Sequence, residues 1–178
     1  MMDGMTERDI VRQAQNGNAE AMNELIIQYY PAVFAFFYRN TSQYHQSKDL
    51  TQEVFIKMIS SISRYKHRSQ FKSWLFTIAS NHLKNYYRFR FRHPEPEELD
   101  ENTPEIFDEA TKADLRNDVQ EALLNLPVEQ KEAIVLRYYQ GFTFREIAEI
   151  TGENESTIKA RVRYGMKKLK SKLEGYDG

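Results

Sequence analysis

The chain has no cysteine in 178 residues, one tryptophan, seven glycines and five prolines. Without cysteine there is no disulfide and no thiolate metal site, which suits a reducing compartment. No stretch approaches the roughly twenty apolar residues that a membrane-spanning helix requires. The start, MMDGMTERD, lacks a basic leader followed by an apolar run. A cytoplasmic protein is expected, and the sequons at Asn40 and Asn154 are then chance matches. Paired histidines, a glycine-rich phosphate loop, a nucleophile elbow and clustered metal ligands are also missing, so no catalytic centre, cofactor or metal is expected. Strand-period alternation is nowhere sustained.

What is present is the composition of a globular protein, 40% hydrophobic and 29% charged, long enough for one medium domain or two small ones. The net charge of −1 conceals a strong division. Residues 1–93 hold 13 basic and 7 acidic side chains, a net of +6; residues 94–118 hold 2 and 10, a net of −8; residues 119–178 hold 10 and 9, a net of +1. No acid occurs between Glu53 and Glu95. The acidic stretch carries Pro94, Pro96 and Pro104, a composition that resists a packed core and reads as a linker.

Apolar periodicity predicts helices throughout. Thr6 with Asp9, and Asn18, are helix caps; Ala21, Met22, Leu25 and Tyr29 form the stripe of the second helix. Pro31 is expected to begin or kink the next, which holds Val33, Phe34 and Phe37. Leu50, Val54, Met58 and Ile62 define a further buried face. Beyond the linker, Leu115, Val119, Ala122, Leu123 and Leu126 predict one helix ending near Pro127, and residues 128–139 another before Gly141.

Residues 143–173 have the outline of a helix-turn-helix. Thr143 and Glu146 make a capping box, Ile147, Ala148 and Ile150 the first helix's apolar contacts, and Gly152 the turn. Ile158, Val162, Met166, Leu169 and Leu173 are expected to be the buried face of a second helix that has no acid from Ser156 to Leu173. Its other side offers Ser156, Lys159, Ala160, Arg163, Tyr164 and Lys167, a set able to touch phosphates and base edges. A solvated lysine-rich hairpin would mix both charge signs; here the cations, Arg161 included, stand alone.

A second basic region interleaves cations with aromatics, as single-stranded nucleic-acid sites do. Phe71, Trp74, Leu75, Ile78, His82 and Phe89 fall on one helical side and are expected in the core, His82 as a semi-buried histidine. The opposing stripe, Ser73, Thr77, Ser80, Asn81, Lys84 and Arg88, is polar and leans positive. The loop before it, Tyr65, Lys66, His67, Arg68, Ser69 and Gln70, could receive a base flipped out of a duplex. On the preceding helix Asp49, Glu53 and Lys57 align, flanked by Gln52 and Ile56; this is a solvated face or a protein contact.

DLTQEVFIKM (49–58), FKSWLFTIASN (71–81), LPVEQKEAIVLRYYQGFTFREIAEITG (126–152) and STIKARVRYGMKKLKSKL (156–173), in this order around an acidic linker, resemble the extracytoplasmic-function sigma factors of the bacterial sigma-70 family. The resemblance implies an all-α fold of two small helical domains: a region 2-type bundle over 1–93 for polymerase binding, minus-ten recognition and melting, and a region 4-type helix-turn-helix domain over 114–178 for minus-thirty-five recognition. Residues 94–113 would be a flexible acidic linker. It implies a non-enzymatic initiation factor that acts with core RNA polymerase on duplex promoter DNA and the melted non-template strand, and that an anti-sigma factor can restrain.

Residue by residue, Asp49, Gln52, Glu53 and Ile56 match the polymerase contact. Tyr65, Lys66, His67, Arg68, Ser69, Gln70, Lys72, Trp74, Asn81, Lys84 and Arg88 match the minus-ten and melting surface. Arg145, Ser156, Lys159, Ala160, Arg161, Arg163, Tyr164 and Lys167 match the minus-thirty-five surface. Asn85 departs from a common aspartate, Ala160 from serine and Tyr164 from arginine, so promoter preference does not transfer. The competing readings are a stand-alone helix-turn-helix regulator, which would bind DNA without polymerase, and a nucleic-acid-processing enzyme, which would show metal-dependent turnover.

Overall fold

The computed structural model describes residues 4–95, 108–115 and 117–176, and their regular structure is entirely helical. Four long helices come first: α1 (Glu7–Gln15), α2 (Ala19–Thr41), α3 (Tyr44–Ser61) and α4 (Phe71–Arg92), with a 3-10 turn at Ile62–Arg64 before the loop that leads into α4. The second half holds α5 (Glu109–Leu115), α6 (Asp118–Leu124), α7 (Val128–Ile134), α8 (Phe144–Thr151) and α9 (Glu155–Tyr176). A wide π-helical turn, Val135–Tyr139, extends α7.

Local chemistry explains most boundaries. Thr6 and Asp9 form a reciprocal capping box at α1, as Thr143 and Glu146 do at α8. The Asn18 carboxamide accepts from the Ala21 N–H, and Gly152 closes α8 at φ +73°, a left-handed conformation that favours glycine.

Two expectations change. Pro31 lies inside α2, which is one continuous helix; it sits on the exposed side, as does Ile27, where water can satisfy the carbonyl that proline leaves unpaired. The helix expected from Leu115 to Leu126 is two, because Asn117 accepts from the Gln120 N–H and starts α6 anew. The first of them, α5, begins at Glu109, within the stretch assigned to the linker; residues 96–107 of that stretch lie outside the described residues.

The core does not stop at the division of the chain. One apolar cluster runs from Leu25, Phe36, Val54 and Leu75 in the first half to Leu136, Phe142, Ile147 and Val162 in the second. Phe76 of α4 meets the edge of Phe142 with ring centroids 5.3 Å apart, and the Arg39 guanidinium lies 3.6 Å above the Tyr139 ring. Polar contacts flank this seam: Lys72 Nζ donates to the Gln140 carbonyl at 2.7 Å, Gln140 Nε2 to that of Ala32 at 3.1 Å, and Gln120 Nε2 to that of Arg39 at 3.0 Å.

In α9 the buried positions are Ile158, Val162, Gly165 and Leu169, with Leu173 half-buried. Met166, expected on that face, is 39% exposed. Glycine takes the place because α7 comes too near for a side chain: a Cβ at 165 would lie 2.5 Å from Ile134 Cδ1. Among the described residues, no helix is long and apolar enough to cross a membrane.

Candidate nucleic-acid interface

The outer face of α9 is built as its pattern predicts. Ser156, Lys159, Arg163, Tyr164 and Lys167 are exposed, with Ala160 half-buried between them. Asn154 accepts from both the Thr157 N–H and the Ser156 hydroxyl, which fixes the entry into the helix. The cations are not without carboxylates, however. Lys159 pairs with Glu155 at 3.3 Å, Arg161 with Glu153 at 3.2 Å and, on α8, Arg145 with Glu149 at 3.7 Å. Such pairs are weak, about 0–1 kcal/mol, and a phosphate can displace them. Glu153 and Glu155 lie just before the acid-free run of 156–173, where a reading confined to that run misses them.

The loop before α4 surrounds a cavity of about 550 Å³. His67, Arg68, Ser69 and Gln70 line one side; Glu7, Arg8 and Val11 of α1 line the other, and periodicity gave no signal for these three. Lys66 is exposed beside it. Tyr65 is buried, its ring 5.1 Å from Trp74 and its hydroxyl donating to the Ser69 carbonyl. It therefore shapes the loop from beneath, and desolvation raises its phenol pKa. The His67 pKa is lowered, first by desolvation and then by the positive charges of Arg8 and Arg12.

The polar stripe of α4 is divided. Asn81 and Arg88 are exposed, but Ser73 and Ser80 are buried. Ser80 Oγ donates to Glu132 Oε1 of α7 at 2.5 Å, and Lys84 Nζ donates to the Thr151 carbonyl of α8 at 2.5 Å. Lys72 is half-buried against the second half, and burial lowers its pKa. Three polar groups of α4 thus face the chain's own C-terminal half. Phe89, expected in the core, is 60% exposed, because the last turns of α4 run past the body they pack on. Trp74 and Ile78 are half-buried, and His82 reaches Glu53 of α3, Nδ1 to Oε2, at 3.4 Å.

On α3, Asp49, Gln52, Glu53 and Ile56 are all exposed while Leu50, Val54 and Met58 are buried. Ile56 is 66% exposed, an apolar side chain standing in a polar stripe. Among the described residues there is no group of histidine and acidic side chains arranged to hold a metal.

A helix-turn-helix behind a basic, aromatic helical bundle defines a two-part DNA-binding protein, and comparison with known proteins specifies the kind. Residues 25–92 match the family model for sigma-70 region 2, and residues 116–169 that for sigma-70 region 4. The chain is 30% identical to the ECF RNA polymerase sigma-E factor of Haemophilus influenzae, over 98% of each chain. It is 27% identical to that of Escherichia coli, over 98% of this chain and 97% of the relative. Among solved structures, the sigma factor RpoE of Bartonella quintana, bound to the anti-sigma factor NepR, superposes with a TM-score of 0.72 at 26% identity, covering 85% of this chain and 96% of that one. CnrH, bound to the cytosolic domain of CnrY, shares the fold with a TM-score of 0.74, over 95% and 97% of the two chains.

The chain belongs to the extracytoplasmic-function sigma factors of the sigma-70 family. Its work is to direct bacterial core RNA polymerase to particular promoters and to promote opening of the DNA there. A stand-alone regulator is not favoured, because region 2 accompanies the helix-turn-helix.

Proposed function

We propose a division of labour along the chain. Residues 1–93 bind core polymerase and open the minus-ten element, residues 94–113 link, and residues 114–178 read the minus-thirty-five element. The observation that carries this is the pairing of two separated surfaces of opposite character: an acidic and apolar face on α3 at Asp49, Gln52, Glu53 and Ile56, and cationic faces on α4 and α9. Acids repel DNA and suit a protein surface; cations with hydrogen-bonding neighbours suit DNA.

In this division Lys66, His67, Arg68, Ser69 and Gln70 receive an unstacked base of the non-template strand, with Tyr65 and Trp74 supporting them. Asn81 and Arg88 hold the strand beyond, and Lys72 and Lys84 join them once their bonds to the Gln140 and Thr151 carbonyls open. Lys159, Arg161, Arg163 and Lys167 hold the upstream duplex, while Arg145, Ser156, Ala160 and Tyr164 meet its groove edges. Stacking and edge contacts to displaced bases offset the few kcal/mol needed to unstack each step. The protein would do this in the cytoplasm, without catalysis of its own. Because a solved relative is complexed with an anti-sigma factor, a restraining protein of that kind is proposed here too.

Promoter-specific run-off transcription with purified core polymerase tests the assignment. Substitutions on the α3 face should abolish initiation while leaving DNA binding by α9 intact, and those on α9 should weaken duplex binding and promoter-specific initiation while leaving polymerase binding intact. Promoter-specific initiation that survives both sets would refute it.

A further inference from the structure

Gln15, the last residue of α1, lies ahead of the part of the chain matched by the region 2 family model, yet its side chain makes two contacts with the base-receiving loop and one with the 3-10 turn before it. Its Nε2 donates to the Ile62 carbonyl at 3.0 Å and to the Tyr65 carbonyl at 2.7 Å. Carbonyl oxygens only accept, so these two bonds fix which end of the carboxamide is the NH₂. Its oxygen must then be the atom facing His67, 3.0 Å from Nε2. A carboxamide oxygen only accepts as well, so His67 Nε2 must carry the proton. In the neutral ring that leaves Nδ1 as its one acceptor.

We infer that Gln15 is a positioning residue for base selection: it holds His67 in the Nε2–H tautomer, so that the imidazole offers an acceptor, Nδ1, to the base received in the adjoining cavity. This rests on the proposal that the loop receives a base. The cavity that His67 shares with Glu7, Arg8, Arg68, Ser69 and Gln70 has a volume typical of sites for small organic molecules. A flipped base is read along its pairing edge. There adenine and cytosine present an amino donor, N6 or N4, where guanine and thymine present a carbonyl oxygen. Aimed at that exocyclic group, and not at the N1–H and N2–H of guanine or the N3–H of thymine, an imidazole acceptor prefers the first two. Desolvation and the charges of Arg8 and Arg12 disfavour the imidazolium, which would donate from both nitrogens and erase the preference.

The test uses polymerase holoenzyme and four promoters that differ only in the base captured by the loop. Wild type should initiate about ten-fold better with adenine or cytosine there, the scale of one hydrogen bond. In Gln15→Leu that preference should shrink to about two-fold or less, with initiation on thymine or guanine retained. Nitrogen-15 spectra of the full-length protein should show His67 protonated on Nε2, a measurement that stands even if the variant fails to fold.

An equal loss on all four promoters would mean that Gln15 only braces the loop, and would overturn the inference. So would an Nδ1–H tautomer, or a preference for thymine or guanine. If Gln15→Leu keeps the preference while His67→Ala loses it, the role of Gln15 is wrong and the loop assignment stands. If neither substitution alters it, both are wrong.

Discussion

Ser80 on α4 donates a 2.5 Å hydrogen bond to Glu132 on α7, and both side chains are buried, Glu132 at only 7% exposure. Burial raises the Glu132 pKa above the usual 4.5, against the Ser80 hydrogen bond and the positive charges of Lys84 and Arg161; Glu129 adds to the rise. A carboxyl so placed binds its proton more tightly when the two halves are closed than when they are apart. Its contribution to closure is therefore complete below pH 4.5 and is lost as the pH rises through its value in the closed form. Small-angle scattering should find the chain more compact at the acidic end of that window. Glu132→Gln should remove that part of the pH dependence; an unchanged profile would show that the carboxyl does not govern closure.

The edge contact between Phe76 and Phe142 is the apolar counterpart of that bond. Truncating a buried phenylalanine costs about 3–5 kcal/mol. Phe142→Ala should therefore loosen the halves and lower the denaturation midpoint, with a larger radius of gyration in the native baseline. A stable and equally compact variant would show that the seam contributes little.

Gly165 lies where α9 crosses α7, with Ile134 Cδ1 occupying the space of a side chain. Gly165→Val should lower stability by about 1–3 kcal/mol through overpacking, which denaturant titration would measure. A neutral result would mean that Ile134 can turn aside.

Arg163 is exposed and stacks beside Tyr164, 5.1 Å from the ring. If it contacts a phosphate, Arg163→Ala should weaken binding uniformly across promoter sequences and reduce the salt slope by about 1. Tyr164→Ala should instead change the preferred base. Fluorescence titration of promoter duplexes by holoenzyme across salt concentrations separates these outcomes.

Features set by neighbours in sequence were legible in it. The capping boxes at Thr6 and Thr143, the turn at Gly152 and the Leu50, Val54, Met58 stripe each arise within one or two turns of chain. Features set by distant partners were not. Ser80 and Lys84 pattern as a solvent-facing polar stripe, and nothing within α4 announces a carboxylate 52 residues later or a carbonyl 67 residues later. Gly165 has no hydropathy to register, so Met166 beside it took its place in the pattern. Gln15 was invisible for the opposite reason: its function lies in the direction of its amide bonds, which composition does not encode.

The apolar cluster that runs through both halves implies that the covalent connection is not what keeps them together. Chains 1–95 and 108–178 made as separate polypeptides should find one another and sediment as a single particle. By the same logic, lengthening the connecting segment would not free the halves. Their parting has to be driven from outside, by a surface that holds α3 and α9 in positions too far apart for Phe76 and Phe142 to meet.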